Sequence, residues 1–406
     1  MTAPSLFTSS ADGDCTFRSG RSKTIRLDPF IRPKGFFVAI QAAAEQQGIF
    51  AAHQIAALAE AGAIKPALPF AENQIQPASL DLRLGRRAWR MRASFLPGAR
   101  SVAEAIARHA LHEIDLGPGA VLETGCVYVA ELAESLDLPA DIAASANPKS
   151  STGRIDVFTR VIADRARAFD TVEAGYRGPL FAEISPRTFP ILARSGSRLS
   201  QIRFRRGNAR LDDAAHAALH ARQKLVSRPN PDFVGGVSIS IDLSGFGDDG
   251  LIGYRAKRHT GLIDVDLSAA CAIADYWEPV FSGGRGELVL DPGEFYILAS
   301  KEEVLVPPDH AAEMTPFDAL VGEFRVHYAG FFDPGFGASE AGGGGARAVL
   351  EVRSHDVPFI LEDGQAVGRL VYEKMAQIPH DLYGAVLGSN YQAQGLKLSK
   401  HFFAPR

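Results

Sequence analysis

Cysteine is scarce. The 406-residue chain has three, Cys15, Cys126 and Cys271. Their odd number and wide spacing argue against a disulfide framework and fit a reducing cytoplasm. None forms a Cys-x-x-Cys pair, which removes the commonest structural zinc site. No apolar run is long enough to span a bilayer. Met1 to Lys23 is polar and lacks the apolar core of a secretory signal. Charge of one sign is also missing. The net value of −4 gives no global pull toward nucleic acid, so a polyanion site has to be local. What is left is 46% hydrophobic and 22% charged residues, over a length suited to two or three domains. The expectation is a cytoplasmic protein with neither a membrane nor a nucleic-acid partner.

What the chain does contain is itself, twice. Gly125 and Tyr128 recur as Gly293 and Tyr296, and Leu138-Pro139-Ala140-Asp141 as Val306-Pro307-Pro308-Asp309. Glu183 recurs as Glu351, Pro190 as Pro358, Gly196 as Gly364 and Phe204 as Tyr372, always 168 positions on. One register kept across turn residues and apolar positions predicts a tandem duplication of one domain. The copies diverge at Lys149-Ser150-Ser151-Thr152-Gly153-Arg154. The corresponding stretch, around Thr315-Pro316-Phe317-Asp318, has no serine pair and no following arginine. One copy is expected to hold a reactive site and the other to serve as its partner.

Residues 1–47 show little periodicity. Residues 48–64 are predicted helical, with Ala52, Ile55 and Ala59 on one face and Gly62 and Pro66 as stop signals. From there the pattern changes to short alternating runs between Gly and Pro clusters, such as Ser79-Leu80-Asp81-Leu82-Arg83-Leu84, Val127-Tyr128-Val129 and Ile202-Arg203-Phe204. Such a texture predicts a mainly β sandwich or barrel. Leu211 to Leu225 is predicted as a helix, and Ser227-Arg228-Pro229-Asn230-Pro231 as a stiff linker. The domains are therefore 1–47 as an extension, 48–227 as the first domain with its linker helix, and 228–406 as the second with a C-terminal tail. The glycine run Ala341 to Ala346 lacks a following Lys-Ser/Thr and is expected to be a flexible hairpin tip.

Lys149 to Arg154 packs two cations and three hydroxyls into six residues. Such a set suits a phosphate chain, which needs many donors and compensating charge, and it equally suits a polar helix start. Glu183 lies in the apolar run Leu180-Phe181-Ala182-Glu183-Ile184. Burial there would raise its pKa toward a range useful for proton transfer; an outward position or a structural ion pair is the alternative. Arg203, Arg205 and Arg206 are either a solvated strand edge or added positive field. His216 and His220 lack the glutamate of a zinc-binding His-Glu-x-x-His helix and are expected to be a surface pair.

These residues resemble the dCTP deaminase family, relatives of the trimeric dUTPases, over roughly 48–206 and 232–400. Gln76 to Gly85 looks like the family's opening strand. Lys149 to Arg154 looks like its Arg-Ser-Ser-x-x-Arg motif, with lysine first. Ala163-Asp164-Arg165 falls where the family has an alanine whose carbonyl meets the cytosine amino group. Glu183 matches the catalytic glutamate. Tyr383, Tyr391 and Gln394 resemble the segment that closes over the triphosphate, with Lys397 or Lys400 standing in for a lysine usual at Asn390. Copy one has Val172 to Tyr176 where the family has an Asp-Pro-Gly-aromatic hairpin, so Asp170 or Glu173 is expected at the deoxyribose. Copy two keeps that hairpin, Asp333-Pro334-Gly335-Phe336, and Glu351.

The resemblance implies two dUTPase-like distorted β-barrel or jelly-roll domains with a few short helices. It implies hydrolysis of dCTP to dUTP and ammonia. The alternatives are a dUTP diphosphatase, an enzyme performing both steps, or a nucleotide-binding regulator without turnover. Glu183, Ser150 and Arg154 are expected to be catalytic. Lys149, Ser151, Thr152, Gly153, Ala163, Arg165, Asp170, Tyr383, Tyr391 and Gln394 are expected to bind substrate. Zinc deaminases need a Pro-Cys-x-x-Cys motif, which this sequence lacks. No cofactor is expected for the chemistry, with magnesium only as the triphosphate's counterion. Three chains are expected to assemble about a three-fold axis, with like copies forming each ring, so that Lys149–Arg154 faces a neighbour's Glu183. The alternative is a mixed arrangement, in which that motif meets Asp333 and Glu351.

Overall fold

The protein is described by a computed structural model covering residues 46–247, 249–316, 324–327, 330–338, 345–354, 356–382 and 395–404. The long strand Ser79–Met91 organises the first half. Its beginning pairs with Arg198–Arg206 and its end with Val127–Asp137, with a register shift between Leu84 and Ala88. One strand thereby feeds two faces of an eleven-stranded sheet. Leu80, Leu82 and Leu84 alternate into the core, as period two demands. The intervening Asp81 and Arg83 are buried as well. Arg83 is tolerated there because its Nε meets Glu134 Oε1 at 2.7 Å and its amide donates to Glu134 Oε2 at 2.8 Å.

In the second half the same role is split between Val237–Ser240 and Leu251–Ala256, which belong to a four-stranded and a five-stranded sheet. The strands Val127–Asp137, Ile142–Pro148, Ile191–Ala193 and Arg198–Arg206 begin 168 residues before Phe295–Val304, His310–Pro316, Phe359–Glu362 and Ala366–Lys374. The spacing seen in the sequence is thus carried by strands that begin in step.

Three local expectations need correction. Residues 48–64 are helical only over Ala52–Glu60, because Gly48–Ile49 pairs as a strand with Arg205 and Arg206 and Gly62 turns with φ 76°. The linker helix Asp213–Gln223 is capped by Asp212, whose side chain accepts from the Ala215 amide at 2.8 Å. His216 on it is buried rather than part of a surface pair. Its Nε2 accepts the Tyr372 amide at 3.0 Å, which ties the helix to the second half. Arg203, read as a possible solvated edge, is fully buried. The glycine run at 342–344 lies outside the described residues.

Residues 46–406 form one compact unit. Phe189 of the first half packs edge-on against Trp277 and Tyr276 of the second, at 5.4 and 5.7 Å between ring centres. Beside it Arg353 bridges to Asp156, and its Nη2 also donates to Thr188 Oγ1 at 2.9 Å. Asp156 sits at φ 54°, which asparagine tolerates equally well. Asp156→Asn therefore isolates the charge. It should lower unfolding stability by about 3 kcal/mol, because Arg353 is left buried without its counter-ion. Urea midpoints measure this, and a change within about 0.5 kcal/mol would mean that the pair does not hold the halves together.

Candidate active site between the two halves

The turn after Ile142–Pro148 begins at Lys149 with extended dihedrals and continues as the short helix Ser150–Gly153. The amides of Thr152 and Gly153 donate to the Lys149 carbonyl at 2.8 and 3.0 Å. Ser151, Thr152 and Arg154 are buried, while Lys149 and Ser150 stay partly open. Lys149 Nζ pairs with Asp81, and Arg198 Nη1 approaches the same carboxylate at 3.4 Å. Lys400 belongs to this group too. Burial first, and then the charges of Lys149 and Arg198, push its ammonium below the usual lysine range. Three cations therefore gather around one buried aspartate beside the hydroxyls.

Arg154 does not turn toward Glu183. Its Nε lies 3.8 Å from Glu351 Oε1, across the junction of the two halves. Glu351 is central in Ala346–Ser354, paired to Ile297 on one side and His327 on the other. Burial pushes its carboxyl up to about 8, with Arg154 pulling the other way. Asp333, which opens the Asp-Pro-Gly-Phe hairpin, is also buried beside this junction. Burial raises its pKa, while Arg203, whose Nη2 is 3.1 Å away, and Lys149 lower it. Arg203 further donates to the Ala312 carbonyl at 3.1 Å and stacks 4.0 Å over Phe331. It comes from the first half and fixes a hairpin of the second.

Glu183 occupies the corresponding strand position, opposite Val129 and Arg160. The difference lies in Arg160. Its Nε donates to Glu183 Oε1 at 3.1 Å, and its guanidinium lies 3.5 Å from the Phe169 ring and 4.6 Å from Phe158. The first half's glutamate is thus held in an ion pair under aromatic cover. The ion-pair reading of that residue fits this geometry, and the expected juxtaposition with Lys149–Arg154 is not formed within the chain.

Ala163 and Arg165 lie on the Glu183 side. Arg165 sits at φ 61°, its amide donating to the Arg100 carbonyl at 3.0 Å, and the Ala163 carbonyl accepts from Ala166 at 3.2 Å. Asp170 Oδ1 accepts the Val161 amide at 2.7 Å, and burial pushes its carboxyl up to about 7. It lines a polar cleft of about 500 Å³ with Asn147, Arg205, Arg210, Glu313 and Glu373. Strand register matches Glu173, not Asp170, to Asp333: Val172 pairs with Ala144 as Phe332 pairs with Ala312. Glu173 itself is exposed.

Tyr383, Tyr391 and Gln394 lie outside the described residues. The segment after them docks on the motif. Ser399 Oγ donates to the Ser151 carbonyl at 2.8 Å, and Arg154 Nη1 donates to the Lys397 carbonyl at 3.0 Å. Of the two lysines considered, Lys400 brings its charge to Lys149, while Lys397 contributes a carbonyl. Sequence reasoning missed Asp81 and Arg198, and it named Arg203 only as a strand edge or added positive field. Asp81 stands in the alternating run Ser79 to Leu84, and the burial of Arg203 shows no local signal because the other half supplies it.

A buried carboxyl set against a serine-arginine turn and a cation cluster, at a junction of two β units, has the chemistry to hold a phosphate chain beside a proton-transfer group. Family models for the N-terminal and C-terminal domains of 2'-deoxycytidine 5'-triphosphate deaminase match residues 46–208 and 212–402. A crystal structure of 2'-deoxycytidine 5'-triphosphate deaminase from Agrobacterium tumefaciens is 61% identical, with a TM-score of 0.81, and covers 85% of this chain and all of that one. The dCTP deaminase of Halorubrum lacusprofundi is 29% identical over 153 residues, 36% of this chain and 71% of its own. A dUMP-forming dCTP deaminase of Methanoculleus marisnigri is 31% identical over 144 residues, 34% of this chain and 70% of its own. The chain belongs to the dCTP deaminase family.

The raised pKa of Glu351 has a stability consequence with a definite sign. Its carboxyl titrates near 4.5 when exposed and about 8 when folded. The stability it contributes is fully present below 4.5 and is lost as pH rises through the folded value. Glu351→Gln removes that loss. Relative to the parent, the variant should gain stability between pH 5 and pH 8.5 in urea unfolding. Parallel pH curves for the two proteins would contradict the buried, protonated carboxyl.

Proposed function

We propose that this chain hydrolyses dCTP to dUTP and ammonia at a site shared by its two halves. Deamination of dCTP is the activity of the family to which it belongs. The observation that carries the location is the approach of Arg154 to Glu351. In this reading Lys149, Arg198 and Lys400, with the hydroxyls of Ser151 and Thr152 and the amides of the turn up to Gly153, take the triphosphate. These donors suit phosphate oxygens rather than a divalent cation, so magnesium enters as part of the substrate.

Ser150 and Glu351 hold a water against C4 of the cytosine. Glu351 takes a proton from it, the hydroxide adds to C4, and the ring nitrogen N3 receives the proton back from the same carboxyl. Expulsion of ammonia, with the second water proton, leaves the uracil carbonyl. A carboxyl poised near neutrality can act in both directions, which a carboxylate of ordinary pKa does poorly. Arg154 stabilises the ionised form and fixes the carboxyl across the junction.

We read 48–227 and 228–406 as two dUTPase-like domains from a tandem duplication, with 1–47 as an extension. Support comes from the strands that begin 168 residues apart. The protein is read as cytoplasmic and as a homotrimer, the scattered cysteines supporting the first. Among the described residues no helix is long and apolar enough to cross a membrane. A homotypic ring is not needed to complete this site, since both of its sides come from one chain.

Four variants test the assignment with dCTP and magnesium, each rate taken per folded enzyme. Glu351→Gln should lose on the order of a hundredfold or more in turnover, and Glu183→Gln should stay within a few-fold. The reverse would return the chemistry to Glu183. Arg154→Ala should mainly weaken dCTP binding and Ser150→Ala mainly lower kcat; normal behaviour in both would reduce the motif to a turn. A second reading, release of dUMP and pyrophosphate, is favoured by the relatives named dUMP-forming. Chromatography should find dUTP and no pyrophosphate; pyrophosphate as a product would establish the second reading.

A further inference from the structure

The two halves treat one corresponding edge differently. In the first, Ile191–Ala193 pairs antiparallel with Ala120–Leu122, and its other edge is covered by the second half. Ile263–Asp264 runs parallel to it, Ile263 opposite Ile191, with the Ile263 amide donating to the Pro190 carbonyl at 3.1 Å and the Val265 amide to that of Leu192 at 3.2 Å. In the second half, Phe359–Glu362 pairs antiparallel with Glu287–Leu290 in the same way. Among the described residues nothing pairs with its outer edge. Val289 and Ile360 are opposite each other in that strand pair and are 50% and 57% exposed, with Val357 at 47% nearby. A free strand edge flanked by exposed aliphatic side chains is a template for another chain.

The internal precedent identifies the occupant. Ile263–Asp264 lies in the loop between the strand Leu251–Ala256 and the helix Ile273–Tyr276. Its first-half counterpart is the loop 92–101, between Ser79–Met91 and the helix Val102–His109. That loop presents exposed Leu96 between exposed Arg92 and Arg100, while Glu287 and Glu362 are exposed at one end of the two-stranded pair. Each surface therefore carries exposed aliphatic residues, and the arginines of the loop have as candidate counter-charges Glu362 and Glu287, the latter also 4.0 Å from Arg285.

We propose that the outer edge of Phe359–Glu362 docks a second copy of this chain, which enters with its loop 92–101. The inference rests on the homo-oligomeric reading above and locates its joint. Because edge and loop are different surfaces, the contact is heterologous and joins chains head to tail.

Ile360→Asp breaks the edge and Leu96→Asp breaks the loop. In sedimentation velocity the parent should run as an oligomer and each variant as a monomer with an unchanged far-ultraviolet spectrum. Mixing the two variants should yield a dimer of unlike chains, since one intact edge then meets one intact loop. A monomeric parent would overturn the oligomer and this joint together. An oligomeric parent whose variants keep its mass would overturn the joint alone. Dissociation by Ile360→Asp but not by Leu96→Asp would replace it with an edge-to-edge contact.

Discussion

One buried carboxyl sets the terms for the rest of the molecule. Glu351 is taken out of water in the middle of a strand, and a charge so placed is costly unless a counter-charge meets it. The nearest one comes from the other half of the chain. Bringing Arg154 within reach requires the turn at Lys149 to point across the junction, and the junction itself is held by Phe189 against Trp277 and by Arg353 against Asp156. The hairpin beside it is clamped by Arg203, whose guanidinium spends its donors on the Ala312 and Phe332 carbonyls and on Asp333. Packing between the halves and the electrostatics of the site are therefore the same interaction viewed at two scales.

The two glutamates show how equal sequence can serve unequal ends. Both sit at the centre of matched strands in apolar runs. Glu183 has an arginine as its cross-strand neighbour, held between Phe158 and Phe169, which donates to its Oε1. Glu351 has His327 in the strand beside it and finds its arginine at long range. A carboxylate paired with its own strand neighbour is held in place by that pair. One whose partner stands 3.8 Å off across an interface keeps a raised pKa and stays available for a proton.

Much of this was legible beforehand. The repeat, the β texture and the Lys149–Arg154 turn all depend on local spacing, and local spacing survives in a sequence. The choice between Glu183 and Glu351 did not, because it depends on which half faces which. Both arrangements could be written down from the residues, and nothing in either strand ranks them. Arg203 and His216 were misplaced for a related reason. Alternation marks a strand edge and helical spacing marks a surface pair, but each side is covered by a second half whose docking no local pattern encodes. Asp170 and Glu173 both stayed open because the longer hairpin of the first half upsets the count, and strand register matches Glu173 to Asp333.

In the proposed arrangement the active site is a product of unlike halves within one chain. A crystal structure of the Glu351→Gln variant soaked with dCTP tests that claim most directly, since the substrate should persist. The cytosine should lie against residue 351 and the hairpin at Asp333, with its triphosphate on Lys149 to Arg154 of the same chain. A cytosine seated against Glu183, or a triphosphate held by the second half, would contradict it.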